Sequence, residues 1–169
     1  MIHCLFSALL LSMLAIAPLA RGQALASESG TFQETAYSDT EVPYTLYHPQ
    51  DAATAPWPVL VIGHGFQVPV ANYDSLGRRL ARAGYIVALP DVANGFSPNH
   101  TQFAQQIAGT VAWLQARGQQ AGDALQGLVA PTGGCLGHSM GAGCCLFAGT
   151  YAPELKATAG LAPNEVNTS

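Results

Sequence analysis

Residues 58–90 read PVLVIGHGFQVPVANYDSLGRRLARAGYIVALP, and the hydrophobic period changes twice along them. Val59 to Ile62 is an unbroken apolar run between Pro58 and Gly63. A run without alternation suits a strand covered on both faces, as in a parallel sheet. Tyr73, Leu76, Leu80 and Ala83 then recur at helical spacing, with Arg78, Arg79 and Arg82 on the opposite, solvated side. Gly84 ends that helix, and Tyr85 to Leu89 form a second buried run. Strand, helix and strand of this kind make a βαβ unit.

The same alternation extends outward. Upstream, Thr31 to Tyr37 and Val42 to His48 read as two strands with Ser38-Asp39 as their turn, followed by a Pro/Ala linker over 51–58. Downstream, Phe103, Ile107, Val111 and Leu114 mark an amphipathic helix with a Gln-rich outer face. Gly133 to Leu136 is a weaker strand, Met140 to Thr150 a helix of small residues, and Ala157 to Leu161 a last short strand. The pattern predicts an α/β domain built on a parallel sheet, with no internal repeat.

Composition limits the function classes. The 169 residues are 49% apolar and 9% charged, against roughly 25% charged in ordinary soluble domains. With a formal net charge of −4 and no basic stripe, the chain has no footprint for a nucleic-acid backbone. Cys4 to Ala20 is uncharged and apolar, and Ala24-Leu25-Ala26 places small residues before Ser27. This is the layout of a secretory signal peptide, so residues 1–26 are assigned to the leader and 27–169 to the domain. A run of about 17 apolar residues is at the lower limit for spanning a bilayer, so no stable membrane insertion is expected after cleavage. The expected location is secreted or periplasmic.

Cys4 falls in the leader, leaving Cys135, Cys144 and Cys145. No C-x-x-C pair or Cys/His cluster is present, so neither a metal nor another cofactor is expected. Cys144 and Cys145 read as buried free thiols, and the disulfide state of the three stays open.

Gly137-His138-Ser139-Met140-Gly141 fits G-x-S-x-G at a strand-to-helix junction. A serine on so tight a turn takes a strained backbone, and only very small residues fit two places before and after it, hence Gly137 and Gly141. Ser139 is the candidate nucleophile, with the Met140 amide at the helix start as one oxyanion donor. Gly63-His64-Gly65-Phe66 follows the first buried strand, where the second donor is expected, and assigns it to the Phe66 amide. Gly65 lets backbone approach substrate closely. His64 reads as a loop histidine bonded to nearby backbone rather than a base, and His138 as pointing away from its neighbour Ser139.

These segments, with Tyr73-x-x-Leu76, Leu80-Ala81-x-x-Gly84-Tyr85-Ile86-Val87, GHSMGAG and Leu161-Ala162-Pro163, resemble the α/β-hydrolase superfamily from about Thr31 onward. Within it they are similar to the chlorophyllase, dienelactone-hydrolase and cutinase-like polyester-hydrolase branch. The resemblance implies an α/β-hydrolase fold, a mainly parallel sheet with helices on both faces. It further implies a carboxylic-ester hydrolase with Ser139 as nucleophile, the Phe66 and Met140 amides as oxyanion hole and the Phe66 side chain lining the acyl pocket.

In that superfamily an acid and then a histidine follow the serine. Here no histidine follows Ser139, and the acids after it are Glu154 and Glu165. Glu165, just past the last strand, is the candidate acid, with a solvated loop glutamate as the competing reading; Asp91, another sheet-edge carboxylate, reads as a loop cap or turn former. The domain is also shorter than the roughly 200–300 residues expected of such a hydrolase, so it is read as an N-terminal portion with impaired or no activity. Small or polymeric esters are the expected substrates. The alternative is a pseudo-hydrolase that binds a hydrophobic ester or a protein partner without cleaving it. A nucleotide-binding α/β protein lacks support, since neither G-x-x-x-x-G-K-[ST] nor G-x-G-x-x-G stands at a strand-to-helix junction.

Overall fold

The computed structural model describes residues 23–166. Six strands form one sheet in the order β1-β2-β4-β3-β5-β6. β1 (Leu25–Glu34) and β2 (Thr40–Pro49) pair antiparallel, and β2 meets β4 (Ile86–Pro90) antiparallel. β4, β3 (Trp57–Gly63), β5 (Val129–His138) and β6 (Leu155–Leu161) run parallel to one another. The apolar runs of β3 and β4 lie at the centre, and all five residues of β4 are buried.

Helices cover both faces, each face with its own core. α1 (Asp74–Arg82), entered through a 3₁₀ turn at Val70–Tyr73, packs Leu76, Leu80 and Ala81 against Tyr47, Ile62, Val87 and Leu89. Its arginines stay exposed, with the Arg78 guanidinium 4.5 Å from the Tyr47 ring centre. On the other face α2 (His100–Gln119) and α3 (Met140–Ala148) bury Phe103, Ile107, Val111, Leu114 and Cys144 against Val59, Val61, Ile86 and Ala88. Asn99 caps α2 by accepting the Gln102 amide at 2.9 Å.

The first strand differs from its expected position. It spans Leu25–Glu34 rather than Thr31–Tyr37, because Glu34 turns the chain. The Glu34 carboxylate, 2% exposed, accepts the amides of Ala36, Tyr37 and Ser38 and the Ser38 hydroxyl. These donors pull 35–38 out of the strand. The expected leader lies almost wholly outside the described residues, and the expected cut before Ser27 falls inside β1, where Leu25 pairs with Pro49 and Ala26 with His48.

β5 is longer than its glycines suggest, because it pairs on both sides and glycine is what the spacing permits. A Cβ on Gly133 would stand 2.7 Å from the Val59 carbonyl oxygen. The reading of Cys145 as a free thiol is corrected: it forms a disulfide with Cys135, their Cα atoms 5.6 Å apart. Adjacent strand and helix bring the two side chains together across a turn, a proximity that linear spacing does not reveal. Cys144 is free and buried, and burial pushes its thiol up to about 12.

Candidate active site

The site is assembled where β3 and β5 end side by side. Gly63 pairs with Gly137, so the loop after β3 and the turn after β5 leave the same sheet edge. At that turn Ser139 takes φ 53° and ψ −120°, outside the regions L-residues ordinarily occupy. Two things hold it there. Its amide donates to the Leu161 carbonyl at 2.9 Å, and its carbonyl accepts the amides of Ala142 at 3.0 Å and Asn164 at 3.1 Å. The turn also closes on itself, since a Cβ on Gly137 would lie 2.3 Å from Ala142 Cα, and one on Gly141 2.2 Å from the Gly63 carbonyl oxygen. No side chain fits at either place, which is the physical content of the G-x-S-x-G spacing.

Ser139 is partly exposed at the start of α3, while the Met140 side chain is buried in the core. The dipole of α3 and the first amides of its turn point toward the serine. Across from it, Gly65 to Val68 form a turn closed by the Val68 amide on the Gly65 carbonyl at 3.1 Å, with Gln67 at φ 52°. Phe66 sits on this turn with its side chain 44% exposed. No hydrogen-bond partner among the described residues takes the Phe66 or Met140 amide, so both remain available.

His64 is fully buried, with Nδ1 2.9 Å from the Gly65 carbonyl oxygen and Nε2 2.5 Å from that of Val92. It straps the loop after β3 to the loop after β4, as the backbone-bonded reading expects, and its ring nitrogens are committed there. His138 has its Nδ1 2.8 Å from the Tyr73 hydroxyl, which also accepts the Gly65 amide at 3.0 Å. Asp91 accepts the Asn94 side-chain amide at 2.7 Å. Glu165 is exposed on the segment after β6, next to Asn164, whose amide reaches Ser139. Ser139, Phe66, Met140, Gly137 and Gly141 are thus brought to one edge. Tyr73 is the residue that sequence reasoning missed, because its periodicity marks it only as part of a helix face.

A strand order of β1-β2-β4-β3-β5-β6, helices on both faces and a serine at the turn from β5 to α3 define an α/β-hydrolase. The chain belongs to the PET hydrolase-like family, which matches it over residues 24–169. It is similar to the bis(hydroxyethyl) terephthalate hydrolase of Streptomyces coelicolor (strain ATCC BAA-471 / A3(2) / M145), with 28% identity over 125 residues. That match takes in 74% of this chain and 39% of the relative's length.

Proposed function

We propose that the chain supplies the nucleophile and the oxyanion hole of a secreted carboxylic-ester hydrolase. The observation that carries this reading is Ser139 itself, held at φ 53° between glycines that have no room for a side chain. In the reaction the Ser139 hydroxyl oxygen attacks the ester carbonyl carbon, and the carbonyl oxygen takes up the negative charge. The Phe66 and Met140 amides receive that charge, which is worth most where the donors are already oriented. Collapse of the intermediate expels the alcohol and leaves an acyl group on Ser139, which water then removes.

The proton leaving Ser139 needs a general base; both ring nitrogens of His64 face backbone carbonyls, and His138 has its Nδ1 on the Tyr73 hydroxyl. Glu165 remains the candidate acid, supported by the bond that ties its neighbour Asn164 to the turn. A serine without its base loses about 10⁴–10⁶-fold in rate. The carbonyl contacts of His64 favour the second reading, a protein that binds hydrophobic esters without cleaving them. The exposed Phe66 ring and the relative's name both point to aromatic diesters such as bis(hydroxyethyl) terephthalate. The Cys135–Cys145 disulfide supports an oxidising compartment.

The test compares the purified chain with Ser139→Ala on p-nitrophenyl esters and on bis(hydroxyethyl) terephthalate. Hydrolysis by the chain that disappears in the variant is expected. Equal turnover by both refutes the nucleophile assignment. Calorimetric binding of the diester by both proteins, with hydrolysis by neither, selects the second reading.

A further inference from the structure

The Tyr73 hydroxyl stands at the junction of three segments. It ends the 3₁₀ turn that leads into α1, and its side chain is 9% exposed. The Gly65 amide is an obligate donor, so the Tyr73 oxygen accepts from it at 3.0 Å. The single phenolic proton has His138 Nδ1, 2.8 Å away, as its acceptor when that nitrogen is unprotonated. With the hydroxyl donating, a neutral His138 carries its own proton on Nε2, and this is the tautomer the bridge requires. The fit leaves no slack, since a Cβ on Gly65 would lie 2.9 Å from that same Nδ1.

We infer that Tyr73 is a positioning residue that fixes the oxyanion loop against the serine turn. Gly65 is the residue before Phe66, and His138 is the residue before Ser139. One hydroxyl thus orients the peptide leading to the Phe66 amide and the residue leading to the nucleophile. Losing it frees the two halves of the oxyanion hole to drift relative to each other, and a displacement of about 1 Å can cost about 10²-fold in rate. The catalytic consequence rests on the hydrolase reading above; the structural bridge does not.

Tyr73→Phe keeps the ring in its place and removes only the hydroxyl. The first measurement is ring ¹⁵N NMR of His138 in the purified chain at about pH 8.5, where imidazole is ordinarily neutral. The wild-type chain should show a single Nε2–H tautomer, and the variant a mixture of both. The Gly65 amide should exchange with solvent at least about tenfold faster in the variant, with β4 amides unchanged, because an unpaired amide opens locally. The second measurement is the rate at which Ser139 is acylated by p-nitrophenyl acetate. It should fall about 10- to 100-fold with KM little changed. An unchanged His138 tautomer and Gly65 exchange overturn the bridge. Altered NMR signals with an unaltered acylation rate overturn the positioning role. A wild-type Ser139 that never acylates counts against the hydrolase reading, while the NMR result still decides the bridge.

Discussion

Ser139 is held in a backbone conformation of the kind that costs roughly 1–3 kcal/mol and persists only where surroundings over-determine it. Here the surroundings are the Leu161, Ala142 and Asn164 bonds and the two crowded glycines. The tight turn around Ser139 was legible because G-x-S-x-G stands between a strand and a helix, and nothing larger fits at Gly137 and Gly141. Glu34 was not legible, since a glutamate among Thr and Gln reads as an ordinary exposed strand position. Its burial works against the charge, yet the hydrogen bonds from Ser38, Ala36 and Tyr37 outweigh that and hold its carboxyl below the ordinary 4.5. A depressed folded value means that the stabilisation is complete above about pH 4.5 and is lost as pH falls through the lower folded value. Glu34→Gln should therefore destabilise the chain by about 1–3 kcal/mol at pH 7 and flatten the acid limb of its stability. Urea midpoints at pH 7 and pH 3.5 check this. A variant as stable as the wild type at pH 7 would remove Glu34 from this role.

At the scale of elements, β3, α1 and β4 were readable to within a residue or two, because their apolar periods are undiluted. β5 was half-legible: Gly133 and Gly134 have weak strand preference, yet close approach to the Val59 carbonyl demands the first and Ala157 crowds the second. The link between β5 and α3 was not legible, because the pairing of Cys135 with Cys145 depends on the turn that brings strand and helix together. This disulfide spans the serine turn from its two sides and closes a loop of sequence separation 10. Removing it in Cys135→Ala/Cys145→Ala should cost about 2–4 kcal/mol, seen as an earlier urea midpoint. Alkylation of the unfolded chain without reductant should modify Cys144 and spare Cys135 and Cys145. Modification of all three would contradict the pairing.

At the scale of the molecule, the described residues do not cover the two faces of the sheet equally. α2 and α3 close one face, whereas α1 covers β2, β4 and Ile62 of β3 on the other. A cavity of about 470 Å³ is left open along β3, β5 and β6, lined by Leu60, Leu80, Tyr85, Leu136, Ala157 and Ala159. β6 is exposed at every residue but its first. An apolar surface of this kind should bind the dye ANS in the native state and enhance its fluorescence, and Ala159→Glu should reduce the signal. No enhancement at pH 7 would mean that this face is covered in solution. The proposed role of Ser139 rests on the turn it occupies where β3 and β5 end side by side. The most direct test of Ser139 as the attacking group is covalent labelling with a fluorophosphonate probe, followed by peptide mapping with mass spectrometry. One adduct on Ser139, absent from Ser139→Ala, is the expected result; an adduct on a different residue, or equal labelling of the variant, would contradict it.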